Sequence, residues 1–438
     1  MNAYLTVDLG FGDAGKGSIV DFLARETDAH TVIRFNGGAQ AGHHVVTADG
    51  REHVFSQFGA GTLAGAATHL SRFHLLDPLA MEAEADHLIT LTGRNPFEAT
   101  TIDENALVVT PFQRAANRLK ELARGEGRHG SCGMGIGETM ADSLAHGDQV
   151  LFARDLGDVD RLWRKLSFLR EVNLAKVRDV VKQLSAHANA QTEIGFLLDD
   201  FDWLLDAYLE FARNAHIVPS RHLTTILNRS GSVVFEAAQG VLLDEWFGFH
   251  PHTTWSTTTL ANAETLLREA AYQGDVTRIG ITRAYATRHG AGPFVTEQPE
   301  LAKQLPDAVN GFDAWQHGFR VGWLDLVMLD YALKVTGQLD MLAVTCLDRL
   351  ADLDTLQVCT RYQGTPVIEP APTVDRLDYQ ARLTKRLFDC VPVFEAVNSA
   401  EILLNHISTA TSLPIGITSY SPTAQDKRFF LSRQSQSL

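Results

Sequence analysis

The chain has 438 residues, 45% of them hydrophobic, and carries a formal net charge of −15. That apolar fraction is ample for a sizeable core, and the acidic balance argues against a nucleic-acid polymer or an anionic membrane as partner. Cys132, Cys346, Cys359 and Cys390 are scattered without metal-ligand spacing, no stretch spans a bilayer and the first residues lack a basic–apolar–small leader, so a reduced cytoplasm is expected.

The first predicted strand, Tyr4-Leu5-Thr6-Val7-Asp8-Leu9, runs into Gly10-Phe11-Gly12-Asp13-Ala14-Gly15-Lys16-Gly17. Glycine, four residues, then Gly-Lys is the spacing of a phosphate-cradling loop. Gly17 stands where such loops carry a magnesium-holding hydroxyl, which disfavours a simple kinase of that type. Asp13 supplies a carboxylate instead, able to hold Mg²⁺ or to take a proton from a substrate. A Gly-rich turn that only packs helix on strand is the bland reading of the same residues.

Four further apolar runs each lead into a polar turn: Val32–Phe35, Val233–Phe235, Met341–Val344 and Leu413–Ile417. Buried parallel strands with ligand-facing loops at their C-terminal ends read this way, so the fold class is α/β with a central, mostly parallel sheet. Between about residues 155 and 215 the periodicity turns helical, with Leu162, Leu166, Leu169 and Val172 on one face. We read this as a helical insertion in one domain covering residues 1–438, whose end, Gln434 to Leu438, is expected to fray. In Asn36-Gly37-Gly38-Ala39-Gln40-Ala41-Gly42-His43-His44, glycines allow close backbone approach and His43 lies within reach of whatever they hold.

These segments together resemble the adenylosuccinate synthetase family. Gly12–Gly17 is similar to its Gly-Asp-Glu-Gly-Lys-Gly, Asn36–His43 to its Gln-Gly-Gly-His-Asn-Ala-Gly-His, and Glu236–Asp244 to its Glu-Gly-Ala-Gln-Gly-Thr-Leu-Leu-Asp. Gly135-Ile136-Gly137, Gly290–Phe294, Gly322-Trp323-Leu324-Asp325 and Leu347-Asp348 follow in the family's order across nearly the whole chain. The resemblance implies a ligase that deprotonates N1 of a purine nucleotide, inosine monophosphate or an analogue, and phosphorylates O6 from GTP with Mg²⁺. Aspartate or another amine then displaces the phosphate. It implies Asp13 as base and Mg²⁺ ligand, the Gly42 carbonyl as a second ligand, His43 as oxyanion partner, Lys16 for phosphate charge and Gln239 on the purine.

By the same resemblance Gly12, Gly15, Gly17, Gly42, Asp348, Ser419, Ser421 and Pro422 would hold the nucleotide, with Asp348 selecting guanine. Gln40, Ser131, Cys132, Gln239, Thr254, His146, His317 and Arg320 would face the other substrates, and a homodimer would complete the site. Asp325 reads equally as a helix-start carboxylate.

The departures are concentrated. The family's Thr/Arg-rich amino-acid loop becomes Trp315-Gln316-His317-Gly318-Phe319-Arg320, so His317 and Phe319 replace arginines and Arg320 remains. Met134 replaces another arginine, His146 replaces the one that crosses the dimer, and Cys346 replaces a lysine. Each lost charged hydrogen bond removes ~1.5–3 kcal/mol, so aspartate is expected to bind weakly. Arg128, Arg283 and Arg288 are the cations left to compensate. The alternative function is a guanine-nucleotide-binding regulatory protein or pseudoenzyme, disfavoured because Asp13, Lys16, His43 and Gln239 are all intact.

Overall fold

The computed structural model describes residues 1–307, 315, 318–353, 355–364, 368–372 and 376–430. His317 and Gln434 to Leu438 lie outside them. Ten strands form the principal sheet: β1 (Asn2–Asp8), β2 (Ala29–Arg34), β3 (Ala67–Leu70), β4 (Thr100–Asp103), β5 (His216–Val218), β6 (Ser232–Glu236), β7 (Asp275–Arg283), β8 (Met341–Thr345), β9 (Ile415–Ser419) and β10 (Lys427–Phe429). Their order is β10-β9-β8-β7-β1-β6-β2-β3-β4-β5. Only the β9–β10 pairing is antiparallel. The four later apolar runs fall on β2, β6, β8 and β9.

Alternation along the strands builds two cores. Val32, Val234, Ile281, Ala343 and Ile417 face one way, where they meet Ile19, Val20 and Leu23 of the helix Lys16–Glu26. Ile33, Phe235, Leu5, Val7 and Val344 face the other, against helices that include Ala261–Glu269 and Leu326–Thr336. Both faces of the central strands are covered, which is why their sequences run apolar without a polar alternate.

The helical stretch contains Val159–Leu184, Gln191–Leu198 and Asp202–Asn214, packed with the earlier helices Pro111–Arg124 and Ile136–His146. Leu162, Leu166 and Leu169 are fully buried. The next buried position of that face is Asn173, not Val172. Its amide donates to Asp142 Oδ2 at 2.9 Å, so a polar side chain satisfied by a carboxylate continues the apolar stripe.

β1 is flanked by β7 on one side and β6 on the other, and the chain moves outward in both directions from there. The loops after β1, β2, β6, β7, β8 and β9 therefore open together at the C-terminal edge, where open α/β sheets bind ligands.

Candidate active site

A cleft of about 1840 Å³ lies at that edge, lined by the turn after β1, residues 40–44, Gln239, Arg283, Tyr285, His289, Asp307, Cys346, Asp348, Arg349, Ser419, Ser421 and Pro422. The loop after β1 is shaped by a residue that sequence reasoning passed over. The Asp8 carboxylate accepts from the backbone N–H of Gly10 (2.8 Å) and Ala14 (3.0 Å), and from Lys16 Nζ at 2.7 Å. Asp8 is fully buried. It ends a strand, as many structural carboxylates do, and nothing in its spacing marks it. The helix Lys16–Glu26 begins behind Gly15, whose φ of 82° lies in the left-handed region. Its N-terminal amides and dipole point into the cleft, an arrangement suited to an anion.

The missing hydroxyl at position 17 has a steric cause. A Cβ on Gly17 would lie 2.8 Å from both the carbonyl carbon and Cβ of His43. Only glycine lets the helix start and the His43 strand approach this closely. Gly240 is similarly constrained, since its Cβ would meet Gly10 O at 2.2 Å.

His43 begins the strand His43–Val46, and its Nδ1 lies 2.5 Å from Glu236 Oε1. The other Glu236 oxygen accepts from Ala60 N–H at 3.0 Å. Burial alone would raise the Glu236 carboxyl, but Arg34 and His43 outweigh it and hold it below its ordinary value. Burial lowers His43, and Arg34 and Lys16 add to this against the pull of Glu236. His43 Nε2 is buried without a hydrogen-bond partner.

Asp13, Gln239 and Cys346 line the cleft with φ of 58°, 65° and 59°. Strained non-glycine backbone at converging loops is the pattern of a functional site. Gln239 Nε2 donates to Thr254 Oγ1 at 2.6 Å, while Gln239 Oε1 and both amide atoms of Gln40 are buried and unpartnered. Such groups cost about 1–3 kcal/mol each unless something meets them. Burial pushes the Asp348 carboxyl up from its ordinary range. Behind Ser421 and Pro422, the Lys427 ammonium donates to the carbonyls of Ser421 (3.3 Å), Pro422 (3.3 Å) and Thr423 (2.8 Å).

Not every expected residue arrives. Ser131 hydrogen-bonds Asn117 at 3.0 Å, while its neighbour Cys132 lines the cleft. Thr254 does not line the cleft and meets it only through its hydrogen bond from Gln239. His146 ends its helix away from the cleft, with its ring edge-on to Phe168 at 5.1 Å. Arg320 is committed elsewhere: its Nε donates to Glu297 Oε1 at 2.9 Å and its Nη1 to the carbonyls of Gly290 and Gly292. Arg288 is buried over the Phe11 ring at 4.1 Å, donating to the carbonyls of Ala291, Pro293 and His252. Burial and Arg320 lower it to about 9. Asp325 caps the helix Leu326–Thr336 by accepting from Val327 N (3.0 Å) and Met328 N (3.2 Å), and Tyr362 donates to it at 2.6 Å.

Arg283, expected from the sequence only as a compensating cation, is part of the cleft wall. Its Nη2 lies 3.5 Å from Asp307, and despite burial the charges of Cys346, Tyr285, Asp13 and Asp307 raise its guanidinium. The Asp13 carboxylate has no hydrogen-bond donor among the described residues. With the backbone carbonyl of Gly42 it offers the hard oxygen donors that Mg²⁺ prefers.

Comparison with known proteins gives the family and the fold. The model of the adenylosuccinate synthetase family matches residues 6–426. The adenylosuccinate synthetase of Clostridium beijerinckii is 30% identical over 434 residues, covering 96% of this chain and 93% of the relative. That of Thermoplasma acidophilum is 31% identical over 440 residues, covering 96% and 92%. Among solved structures, fully ligated adenylosuccinate synthetase from Plasmodium falciparum superposes with a TM-score of 0.79 at 20% identity, covering 98% of this chain and all of that one. The succinoaminodeoxyadenylate synthetase of cyanophage S-2L, bound to dGMP and to dATP as an energy donor, gives 0.61 at 17%, covering 99% and 96%.

Proposed function

Because the chain belongs to the adenylosuccinate synthetase family, whose members are GTP-dependent enzymes that form a C–N bond, we propose how this cleft divides that work among its residues. The observation that carries the reading is convergence: Asp13 and Lys16 from the turn after β1, with His43, Gln239 and Asp348 from three further segments, all line one cleft.

The Gln239 amide receives the base of a purine nucleotide, inosine monophosphate or an analogue, with Gln40 and Cys132 beside it. The Asp13 carboxylate takes the N1 proton, and the electron pair moves to O6. O6 attacks the γ-phosphorus of GTP, so the O6–P bond forms as the bond to GDP breaks. His43, with Nε2 toward the cleft, meets the charge at the transferring oxygens. Lys16, which already balances Asp8, shares its charge with the phosphates. An amine then forms the C6–N bond, the C6–O6 bond breaks, and phosphate leaves. Asp13 and the Gly42 carbonyl would hold Mg²⁺, which supplies charge neutralisation to the phosphates when bound. Asp348 accepts from guanine N1 and N2, and Ser419, Ser421 and Pro422 form the wall behind the base.

The amine is aspartate or another amine, and one less anionic than aspartate suits this cleft better. Arg320 and Arg288 are both occupied, and among the described residues the cations lining the cleft have carboxylate partners: Lys16 with Asp8, Arg283 with Asp307, Arg349 with Asp352. A dicarboxylate would have to compete for each of them. A cytoplasmic homodimer completes the reading. His146 and the 73%-exposed Leu144 lie on an outer helix where a partner subunit can meet them. Among the described residues no helix is long and apolar enough to cross a membrane.

The test is product capture: GTP, Mg²⁺ and inosine monophosphate with a panel of amines, read by mass spectrometry. An amine adduct of the purine nucleotide, with labelled aspartate incorporated poorly, is expected. GTP turnover with no adduct from any amine would contradict the reading.

A further inference from the structure

Beneath His43 lies a buried ionic arrangement that substrate binding does not use. Arg34 ends β2 and Glu236 ends β6, and the two are register partners in adjacent parallel strands. They therefore project from the same face, two residues beyond Val32 and Val234, into the aliphatic core under the helix Lys16–Glu26. Both side chains are fully buried. A carboxylate and a guanidinium in such surroundings carry a desolvation cost that apolar replacements of similar shape would avoid. Their partners indicate what they hold. Glu236 uses one oxygen on Ala60 N–H and the other on His43 Nδ1. Arg34 anchors itself to the Phe58 carbonyl at 3.2 Å. It acts on Glu236 through charge rather than through a hydrogen bond.

We propose that Glu236, with its register partner Arg34 beside it, is a positioning residue for His43: the Glu236 carboxylate accepts from Nδ1–H and so fixes the imidazole with Nε2 toward the cleft. The carboxylate has no freedom of its own, since Ala60 N–H fixes its second oxygen. The backbone and Cβ of His43 pack directly on Gly17, where a Cβ would meet them at 2.8–3.0 Å. The imidazole is thus fixed by one charged hydrogen bond at Nδ1, the arrangement by which an orienting carboxylate sets a histidine's tautomer and direction. The inference rests on the reading that His43 serves the transferring oxygens.

Glu236→Gln tests it. A glutamine cannot accept from both Ala60 N–H and His43 Nδ1–H, because one of its two terminal atoms is itself a donor. We expect kcat of GTP-dependent phosphate release to fall by about 100-fold or more, with KM for GTP and purine nucleotide changed by less than about threefold. Glu236→Asp, which keeps the charge, should recover part of kcat. The unsubstituted protein offers a readout that needs no variant to fold. A short Nδ1–H···O⁻ bond gives a far-downfield imidazole proton in its NMR spectrum, assigned by its loss in His43→Asn. Its absence would overturn the proposal, as would kcat in Glu236→Gln within about twofold of the parent, or a loss of stability with kcat per folded molecule unchanged. Full phosphate release in His43→Asn would instead remove the reading on which the proposal rests. Its loss there alongside parental Glu236→Gln activity removes the positioning alone.

Discussion

Gly17→Ala puts the smallest possible side chain where the helix Lys16–Glu26 meets His43. The added Cβ would start 2.8 Å from two His43 carbons and 3.0 Å from its Cα. Carbon atoms settle at about 3.5–4.0 Å, so about 0.7 Å of separation must be found. Neither side yields easily: the helix start is fixed by Lys16 on Asp8, and His43 by Glu236. Overpacking of this kind costs about 1–3 kcal/mol. The helix-propensity gain from glycine to alanine, about 1 kcal/mol at most, offsets only part of it. The net is a destabilisation of about 1 kcal/mol. Activity should suffer more, because a misplacement near 1 Å at a catalytic group can cost about 100-fold. Urea unfolding and steady-state phosphate release measure the two effects. Gly157→Ala is the control, since a Cβ there meets nothing within 4 Å. Parental kcat in Gly17→Ala would refute the reasoning, since it would mean that His43 can move without consequence.

Asp13→Asn should abolish phosphate release while circular dichroism and the unfolding midpoint stay parental; retention of more than about a tenth of activity rejects Asp13 as base and metal ligand. Asp348→Asn should weaken use of GTP and improve use of xanthosine triphosphate, whose 2-oxo group needs a donor; equal affinity of the parent for ATP and GTP would show that Asp348 does not select the base. Burial raises the Asp325 carboxyl from 3.8 to about 6, so the folded state favours its protonated form. The stabilisation from that proton is complete below pH ~4 and is lost as pH rises through about 6, a change of about 3 kcal/mol for a shift of about 2 units. Asp325→Asn keeps the cap and stays neutral, so its stability relative to the parent should climb by about that amount between pH 4 and 7 in urea titrations; parallel curves would contradict the assignment.

The central strands were legible because burial on both faces demands unbroken apolar runs, as in Val233-Val234-Phe235. The outer strands were not. β3, Ala67–Leu70, contains Thr68 and His69, both buried and hydrogen-bonded, and no periodicity distinguishes them from loop. At the site, glycine-rich turns announced the phosphate loop and the segment around His43. Glu236 was visible as part of a motif, but its contact with His43 spans 193 residues and depends on strand register. Asp8 was hidden for another reason: its partners Gly10, Ala14 and Lys16 are local, but a carboxylate ending a strand carries no distinguishing spacing. Arg320 shows the opposite failure: a surviving arginine in a matched motif reads as a substrate clamp until Glu297 and two glycine carbonyls are found on it.

The route of one oxygen atom tests the central claim most directly. Inosine monophosphate carrying ¹⁸O at the 6-oxo position, turned over with GTP, Mg²⁺ and a productive amine, should deliver its label to inorganic phosphate, one atom per phosphate released, because O6 becomes a phosphate oxygen before the amine displaces it. Unlabelled phosphate, with the ¹⁸O still on the purine or in water, would show that GTP is hydrolysed without activating the 6-oxo group and would contradict the account.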